Sequence, residues 1–282
     1  MKSRIITALI LLALVVPLIF LGGIPYLIGV SLIIAIATHE LLNTNKSPIW
    51  TQIIGVLLVM TCTIYSWFSV DKPFLDFNSL FIILPVLTFF TIAIWDKKRT
   101  LMDATYNSVA SILMIMFGNA LLEIRTTFGN LNLLLYLLIT TFAVDIFALF
   151  IGCKFGKHKL NPRVSPKKSV EGAIGGTVCG LVLGSLFAIL CPITHAATPG
   201  ILGIAFEPNF SFINIIAILG LTFVLAIVGQ IGDLAFSLIK RHYQIKDFSN
   251  ILPGHGGFAD RIDSVCFNAI TLVAILSMYL VL

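Results

Sequence analysis

Residues 131–151 read LNLLLYLLITTFAVDIFALFI, and Asp145 is the only charged side chain in this stretch. A bilayer core of about 30 Å is crossed by roughly 20 apolar residues in a helix, so the stretch predicts a transmembrane helix. Eight comparable stretches lie along the chain: 5–22, 24–42, 50–68, 79–95, 104–122, 172–194, 212–236 and 264–282. The sequence therefore predicts an all-α polytopic integral membrane protein with about nine transmembrane helices.

The composition supports this fold class. Of the 282 residues, 58% are hydrophobic and only 11% are charged, whereas a soluble domain usually carries about 25% charged residues. These values exclude an ordinary water-soluble domain. We expect one membrane domain, in which residues 1–130 supply N-terminal helices and residues 131–282 supply catalytic helices with polar cytoplasmic loops.

The N-terminal stretches 5–22 and 24–42 are separated only by Gly22 and Gly23. They are compatible with a tight hairpin of two helices or with one interrupted segment. The basic residues before the first stretch also resemble a signal peptide, but no small-x-small cleavage site follows. We expect the first helix to be retained.

The basic residues predict the orientation of the chain. If the N-terminus is cytoplasmic and all nine stretches cross the membrane, 16 of the 18 Lys and Arg residues lie on the cytoplasmic side. This asymmetry follows the positive-inside rule. The net charge of +5 is therefore explained by topology. We expect no nucleic-acid partner and place the protein in a bacterial plasma membrane.

Most of the polar chemistry lies in two predicted cytoplasmic connections, 152–171 and 237–263. The helix after the first connection carries a glycine ridge, defined as Gly172, Gly176, Gly180 and Gly184. Small residues every four positions allow close packing of membrane helices. The ridge predicts a close helix neighbour, and a homodimer through this surface is one hypothesis.

The second connection adjoins a helix with three polar residues at helical spacing. If that helix continues to about Arg241, then Asp233, Ser237 and Lys240 lie on one face. A carboxylate so deep in a membrane helix commonly faces a polar cavity or a partner. The alternative is a simple ion pair between Asp233 and Lys240.

A second carboxylate, Asp260, follows the glycine-rich turn 253–257. The glycines permit backbone N–H groups to approach a phosphate closely. Asp260 is alternatively the N-cap of the last helix, with Asp263 in the first turn. Hard carboxylate oxygens in small numbers suit Mg²⁺ shared with substrate phosphates. No catalytic nucleophile with an adjacent base and no P-loop are present, and the five cysteines show no metal-ligand spacing.

These residues resemble the signature of the phosphatidate cytidylyltransferases, also called CDP-diacylglycerol synthases. The similarity comprises Ser237-x-x-Lys240-Arg241, Lys246-Asp247, Pro253-Gly254-His255-Gly256-Gly257 and Asp260-Arg261-x-Asp263. The first connection is similar as well, through Gly152, Phe155-Gly156-Lys157, Ser165-Pro166-Lys167-Lys168-Ser169 and Glu171-Gly172. Two residues depart from the family pattern, because Ser169 replaces the usual Thr and Val170 the usual aromatic. From about Asp145 to the end of the chain, the likeness to the family rests on sequence motifs. In the N-terminal part it rests only on the presence of membrane helices.

The resemblance implies transfer of a cytidylyl group from CTP to phosphatidic acid, with Mg²⁺ and K⁺ as candidate cofactors. Asp233 and Asp260 are then the metal carboxylates, and Asp263 is an auxiliary ligand. The expected phosphate-binding residues are Lys240, Arg241 and Arg261, and the further expected substrate-binding residues are Ser165, Lys167, Lys168, Ser237, Lys246, His255, Gly256 and Gly257.

Three of these assignments have alternatives. His255 either donates to the leaving pyrophosphate or orders its turn. Lys167 and Lys168 either capture the acidic lipid headgroup or extend to the interface as topology residues. Asp145 either completes a polar cavity or pairs with a lysine of the 152–171 loop.

Three other functions are compatible with parts of the sequence. A CTP-dependent polyprenol or phytol kinase would need a base for its alcohol acceptor and would leave CDP. A cytidylyltransferase for an ether-linked isoprenoid phosphate would share the reaction class. A transporter often shows two related halves, whereas here the polar residues crowd into one half and one side of the membrane.

Overall fold

A computed structural model describes residues 2–68, 79–128, 131–191, 212–254 and 256–281. Within these ranges the chain forms nine α-helices and one two-stranded antiparallel sheet. The elements are α1 Lys2–Leu21, α2 Gly23–Thr44, α3 Ile49–Phe68, α4 Ser79–Trp95, α5 Leu101–Arg125, α6 Leu131–Phe155, β1 Lys159–Asn161, β2 Ser165–Ser169, α7 Val170–Leu190, α8 Phe212–His242 and α9 Ala259–Val281.

Seven of the described helices are long and apolar enough to cross a membrane, namely α2, α3, α5, α6, α7, α8 and α9. The apolar parts of α1 and α4 are shorter, at Leu9–Leu21 and Phe81–Trp95. The predicted all-α polytopic membrane fold is confirmed. The count of nine crossings and the cytoplasmic N-terminus stay predictions.

The first two apolar stretches form two separate helices. The helix α1 ends at Leu21 and α2 begins at Gly23. Between them Gly22 has a φ of 63°, a left-handed conformation that favours glycine because it has no Cβ. The chain therefore breaks at this glycine, which both the hairpin and the interrupted segment require.

The chain divides into two compact units. Unit 1 comprises Met1–Glu123 and Tyr243–Ile262, and unit 2 comprises Ile124–His242 and Asp263–Leu282. This grouping places the glycine-rich turn of the second connection with the N-terminal helices. The separate boundary predicted between residues 130 and 131 stays a prediction.

In unit 1, the segment after α8 is anchored by aromatic and polar contacts. The Tyr243 hydroxyl donates to Oδ1 of Asn45 at 3.0 Å, and its ring lies edge-on to Tyr106 with centroids 5.1 Å apart. Burial, and then the negative charge of Asp103, raise the pKa of the Tyr243 hydroxyl. Tyr243 is therefore kept as a neutral hydrogen-bond donor at the start of this segment.

In unit 2, the glycine ridge packs against α6 of the same chain. A Cβ added at Gly172 would lie 2.6 Å from the carbonyl oxygen of Ala148, and one at Gly176 would lie 2.6 Å from that of Val144. The close helix neighbour predicted from the spacing is thus confirmed. The hypothesis of a homodimer through this ridge is wrong, because α6 occupies the surface.

Replacing Gly176 by Ala is expected to lower the melting temperature of the purified protein. The new Cβ meets backbone, which does not rotate away, so α6 and α7 must separate at a cost of about 1–3 kcal/mol. Gly220→Ala is the matched control in α8, because no atom of the described chain lies within 4 Å of a Cβ there. Equal melting temperatures for the two variants would contradict this account of the ridge.

The connection 152–171 contains a hairpin that the sequence did not predict. The strands β1 and β2 pair antiparallel, with Lys159 opposite Ser169 and Asn161 opposite Ser165. The hydroxyl of Ser169 then accepts from the Gly172 N–H at 3.1 Å. This N-cap fixes the point at which the hairpin turns into α7.

Candidate active site

Three carboxylates of unit 2 lie close enough to interact electrostatically. Asp145 on α6 interacts with Asp233 on α8, and Asp263 on α9 interacts with both of them. We call these three residues the acidic cluster. Like charges inside a membrane protein repel one another and need cationic partners.

Two lysines of unit 2 supply part of that compensation. Lys168 on β2 places its Nζ 2.5 Å from Oδ2 of Asp233, and both side chains are about three-quarters buried. Lys168 also attracts Asp145, while Lys240 attracts Asp263. The alternative for Asp233 was an ion pair with Lys240, and the structure shows an ion pair with Lys168. The five groups formally keep one negative charge in excess.

The predicted polar face of α8 is present. This helix extends to His242, as expected, and the Ser237 hydroxyl donates to Oδ1 of Asp233 at 3.3 Å. One turn further on, Nε of Arg241 donates to the carbonyl oxygen of Val164 at 3.1 Å. That bond ties the end of α8 to the hairpin that carries Lys168.

The candidate residues of the hairpin differ in how far their side chains are exposed. Lys167 is exposed, whereas Lys168 is partly buried. Adjacent residues of a strand point to opposite sides, so only Lys168 reaches the acidic cluster. Ser165 is partly buried at the start of β2. The prediction that both lysines bind the lipid headgroup is untested.

In unit 1, the glycine-rich turn folds around the carboxylate of Asp260. Oδ2 of Asp260 accepts from the backbone N–H of Phe248 at 2.9 Å and from that of Gly257 at 3.0 Å. Gly256 has a φ of 82°, and a Cβ there would lie 3.0 Å from the same oxygen. The Gly257 N–H that was expected to reach a phosphate is bound to Asp260 in this structure.

Asp260 is not the N-cap of α9, because the helix begins one residue earlier, at Ala259. Asp260 is 8% exposed, while Lys246 and Arg261 have exposed side chains. The prediction for His255 concerns a residue outside the described ranges. The proposed roles of these residues stay predictions.

Sequence reasoning missed one residue that contacts the segment beside this turn, Glu40 on α2. Its carboxylate accepts from the backbone N–H of Phe258 at 3.0 Å and from that of Ala259 at 2.8 Å. Glu40 is 1% exposed, although it lies in an apolar helix. A lone acid in a membrane helix is a signal for a functional partner, and it was available in the sequence.

The donor set of unit 2 fits a magnesium ion that is shared with substrate. No three His, Cys, Asp or Glu side chains form a complete metal site in the described part of the chain. Mg²⁺ usually takes one or two carboxylates and completes its coordination with phosphates and water. The acidic cluster offers carboxylates of this kind, and its excess negative charge favours a cation.

Comparison with known proteins extends the family likeness to the whole chain. The sequence profile of the cytidylyltransferase family matches residues 2–279. A phosphatidate cytidylyltransferase of Bacillus subtilis (strain 168) is 32% identical over 99% of this chain and 98% of its own length. Those of Staphylococcus aureus (strain COL) and Staphylococcus haemolyticus (strain JCSC1435) are 31% and 32% identical over 95% of both chains. The chain therefore belongs to the cytidylyltransferase family.

Proposed function

We propose that the acidic cluster and Lys168 serve the reaction of this nucleotidyltransferase, which transfers a cytidylyl group from CTP to phosphatidic acid. The products are CDP-diacylglycerol and pyrophosphate, so the enzyme belongs to phospholipid biosynthesis. The match along nearly the full length of three phosphatidate cytidylyltransferases supports this reaction. The charges of the cluster support the assignment of the residues.

The chemistry explains why the chain needs no strong general base. An oxygen of the phosphatidate phosphate forms a bond to the α-phosphorus of CTP. The bond between the α-phosphorus and the bridging oxygen breaks, and pyrophosphate leaves with that electron pair. The nucleophile is already anionic, so the main barrier is the approach of two anions, which fixed cations lower.

We assign Asp233 and Asp263 to Mg²⁺ binding in unit 2. Bound Mg²⁺ would neutralise charge on the phosphate oxygens during the displacement. Lys168 holds Asp233 in place by their ion pair, and Ser237 donates a hydrogen bond to the same carboxylate. Asp260 as a metal carboxylate and K⁺ as a second cation stay predictions from the signature.

The cations of the two connections are proposed to bind phosphates. Lys240 lies near Asp263, and Arg241 has further guanidinium nitrogens beside the Nε that binds Val164. We propose that the protein lies in a bacterial plasma membrane with its active site facing the cytoplasm. The asymmetric distribution of Lys and Arg along the chain supports this orientation. A homodimer as such stays a prediction.

The acceptor distinguishes this function from a lipid kinase. We expect label from α-³²P-CTP to enter the lipid phase with phosphatidic acid and not with diacylglycerol or a polyprenol. An acceptor without a phosphate lacks the anionic oxygen that attacks, and its hydroxyl would first have to lose a proton to a base. Release of labelled CDP with γ-phosphate transfer to an alcohol would instead establish the kinase.

A further inference from the structure

Glu40 is the only acidic residue of α2, and its carboxylate is fully engaged. Oε1 accepts from the Phe258 N–H at 3.0 Å and from the Ser249 hydroxyl at 2.5 Å. Oε2 accepts from the Ala259 N–H at 2.8 Å. Ser249 precedes the glycine-rich turn, Phe258 follows it and Ala259 is the first residue of α9, and all three lie with α2 in unit 1.

These bonds give Glu40 the role of a cap for α9. The first N–H groups of a helix have no partner inside the helix, and they carry a partial positive charge. A buried carboxylate is tolerated where donors surround it. Glu40 therefore fixes the start of α9 from a helix that is distant in sequence.

The same short segment also carries the contacts of Asp260. Gly257 donates to Asp260, while the next two N–H groups donate to Glu40. A Cβ added at Gly257 would lie 2.5 Å from Oε2 of Glu40 and 2.8 Å from its Oε1. An Ala side chain at position 257 would therefore require the hydrogen-bonded Glu40 carboxylate to move.

We propose that Glu40 is a positioning residue for the reaction. It holds residues 257–259 so that Asp260 keeps its place, and its carboxylate obstructs a Cβ at position 257. The link to catalysis rests on the proposed function through Asp260. The positioning itself rests only on the contacts of unit 1.

The first test compares Glu40→Gln with Glu123→Gln. The amide of Gln keeps the volume but turns one acceptor oxygen into a donor that faces an N–H group. We expect the backbone amides of residues 257–259 to exchange with deuterium at least about tenfold faster. We also expect kcat to fall about 10- to 100-fold, because small misplacements cost that much. Glu123 is another buried acid in the same unit, on α5, and its variant should stay within about twofold of wild type.

The second test is a double-mutant cycle between Glu40→Ala and Gly257→Ala. In wild type the new Cβ at 257 meets the carboxylate, whereas in the Glu40→Ala background that obstacle is gone. We expect Gly257→Ala to cost at least about tenfold in kcat/KM in wild type and less than about threefold beside Glu40→Ala. If Glu40→Ala fails to fold, the exchange measurement on Glu40→Gln decides.

Three results would overturn the inference: unchanged exchange in Glu40→Gln, equal costs of Gly257→Ala in both backgrounds, or faster exchange with unchanged turnover. A wild-type protein that exchanges slowly at 257–259 but transfers no cytidylyl group would be a different result. It would refute the proposed function and leave the contacts of Glu40 intact.

Discussion

Replacing Asp233 by Asn is expected to reduce the formation of CDP-diacylglycerol and pyrophosphate together by about a thousandfold. Asn has nearly the same shape but lacks the negative charge that pairs with Lys168 at 2.5 Å. It also removes a carboxylate from the acidic cluster to which we assign Mg²⁺. Initial rates with labelled CTP, measured in liposomes of fixed phosphatidic acid content, test this expectation.

Asp96→Asn is the matched control for Asp233→Asn. Asp96 is a carboxylate in the short connection after α4, where it lies 3.9 Å from Arg99. Its variant should keep activity within about twofold, because Asp96 is not part of the acidic cluster and its contact with Arg99 is long, at 3.9 Å. An Asp233→Asn variant that kept more than a tenth of wild-type activity would rule out a catalytic role for this carboxylate.

Replacing Lys168 by Met is expected to lower kcat/KM about a hundredfold. After this substitution, Lys240 is the one cation left among the five groups to offset the three carboxylates of the cluster. Removing one partner of a buried ion pair is also costly in free energy, because the other charge stays buried. Met retains the length and apolar character of the side chain, so the loss reports the charge. Thermal melting in the same detergent separates this loss from unfolding.

The neighbouring variant Lys167→Met supplies the comparison. Lys167 lies on the same strand but is exposed, and it carries the same charge near the same membrane surface. We expect the fold-decrease in kcat/KM to be at least about ten times smaller for Lys167→Met than for Lys168→Met, since surface charges are well screened by salt. Equal losses in the two variants would mean that both lysines act only as headgroup or topology charges.

Much of the fold follows from local sequence patterns. Apolar length predicted the helices, and helical spacing predicted both the contact of Ser237 with Asp233 and the close neighbour of the glycine ridge. The motif at 237–263 predicted the family, because its spacing is specific. One interpretation of Asp145 was that it pairs with a lysine of the 152–171 loop, and Lys168 of that loop does attract its carboxylate.

The missed features depend on contacts between residues that are distant in sequence. Glu40 contacts Phe258 and Ala259 only after the chain has folded, and no local sequence pattern connects these three residues. An ion pair with Lys240 on the same helix was the alternative interpretation of Asp233, and the hairpin before α7 brings Lys168 to this carboxylate. The glycine ridge predicted a close helix neighbour, but the spacing of its glycines alone did not show whether that neighbour is α6 or a helix of a second copy of the chain.

The most direct test of the central claim is to follow both products of one reaction. The purified protein is incubated with doubly labelled CTP, phosphatidic acid and Mg²⁺, and lipid-bound cytidylyl and free pyrophosphate are counted together. We predict one pyrophosphate for each CDP-diacylglycerol, and the loss of both in Asp233→Asn. Free CDP in place of pyrophosphate, or pyrophosphate without labelled lipid, would contradict cytidylyl transfer to phosphatidic acid.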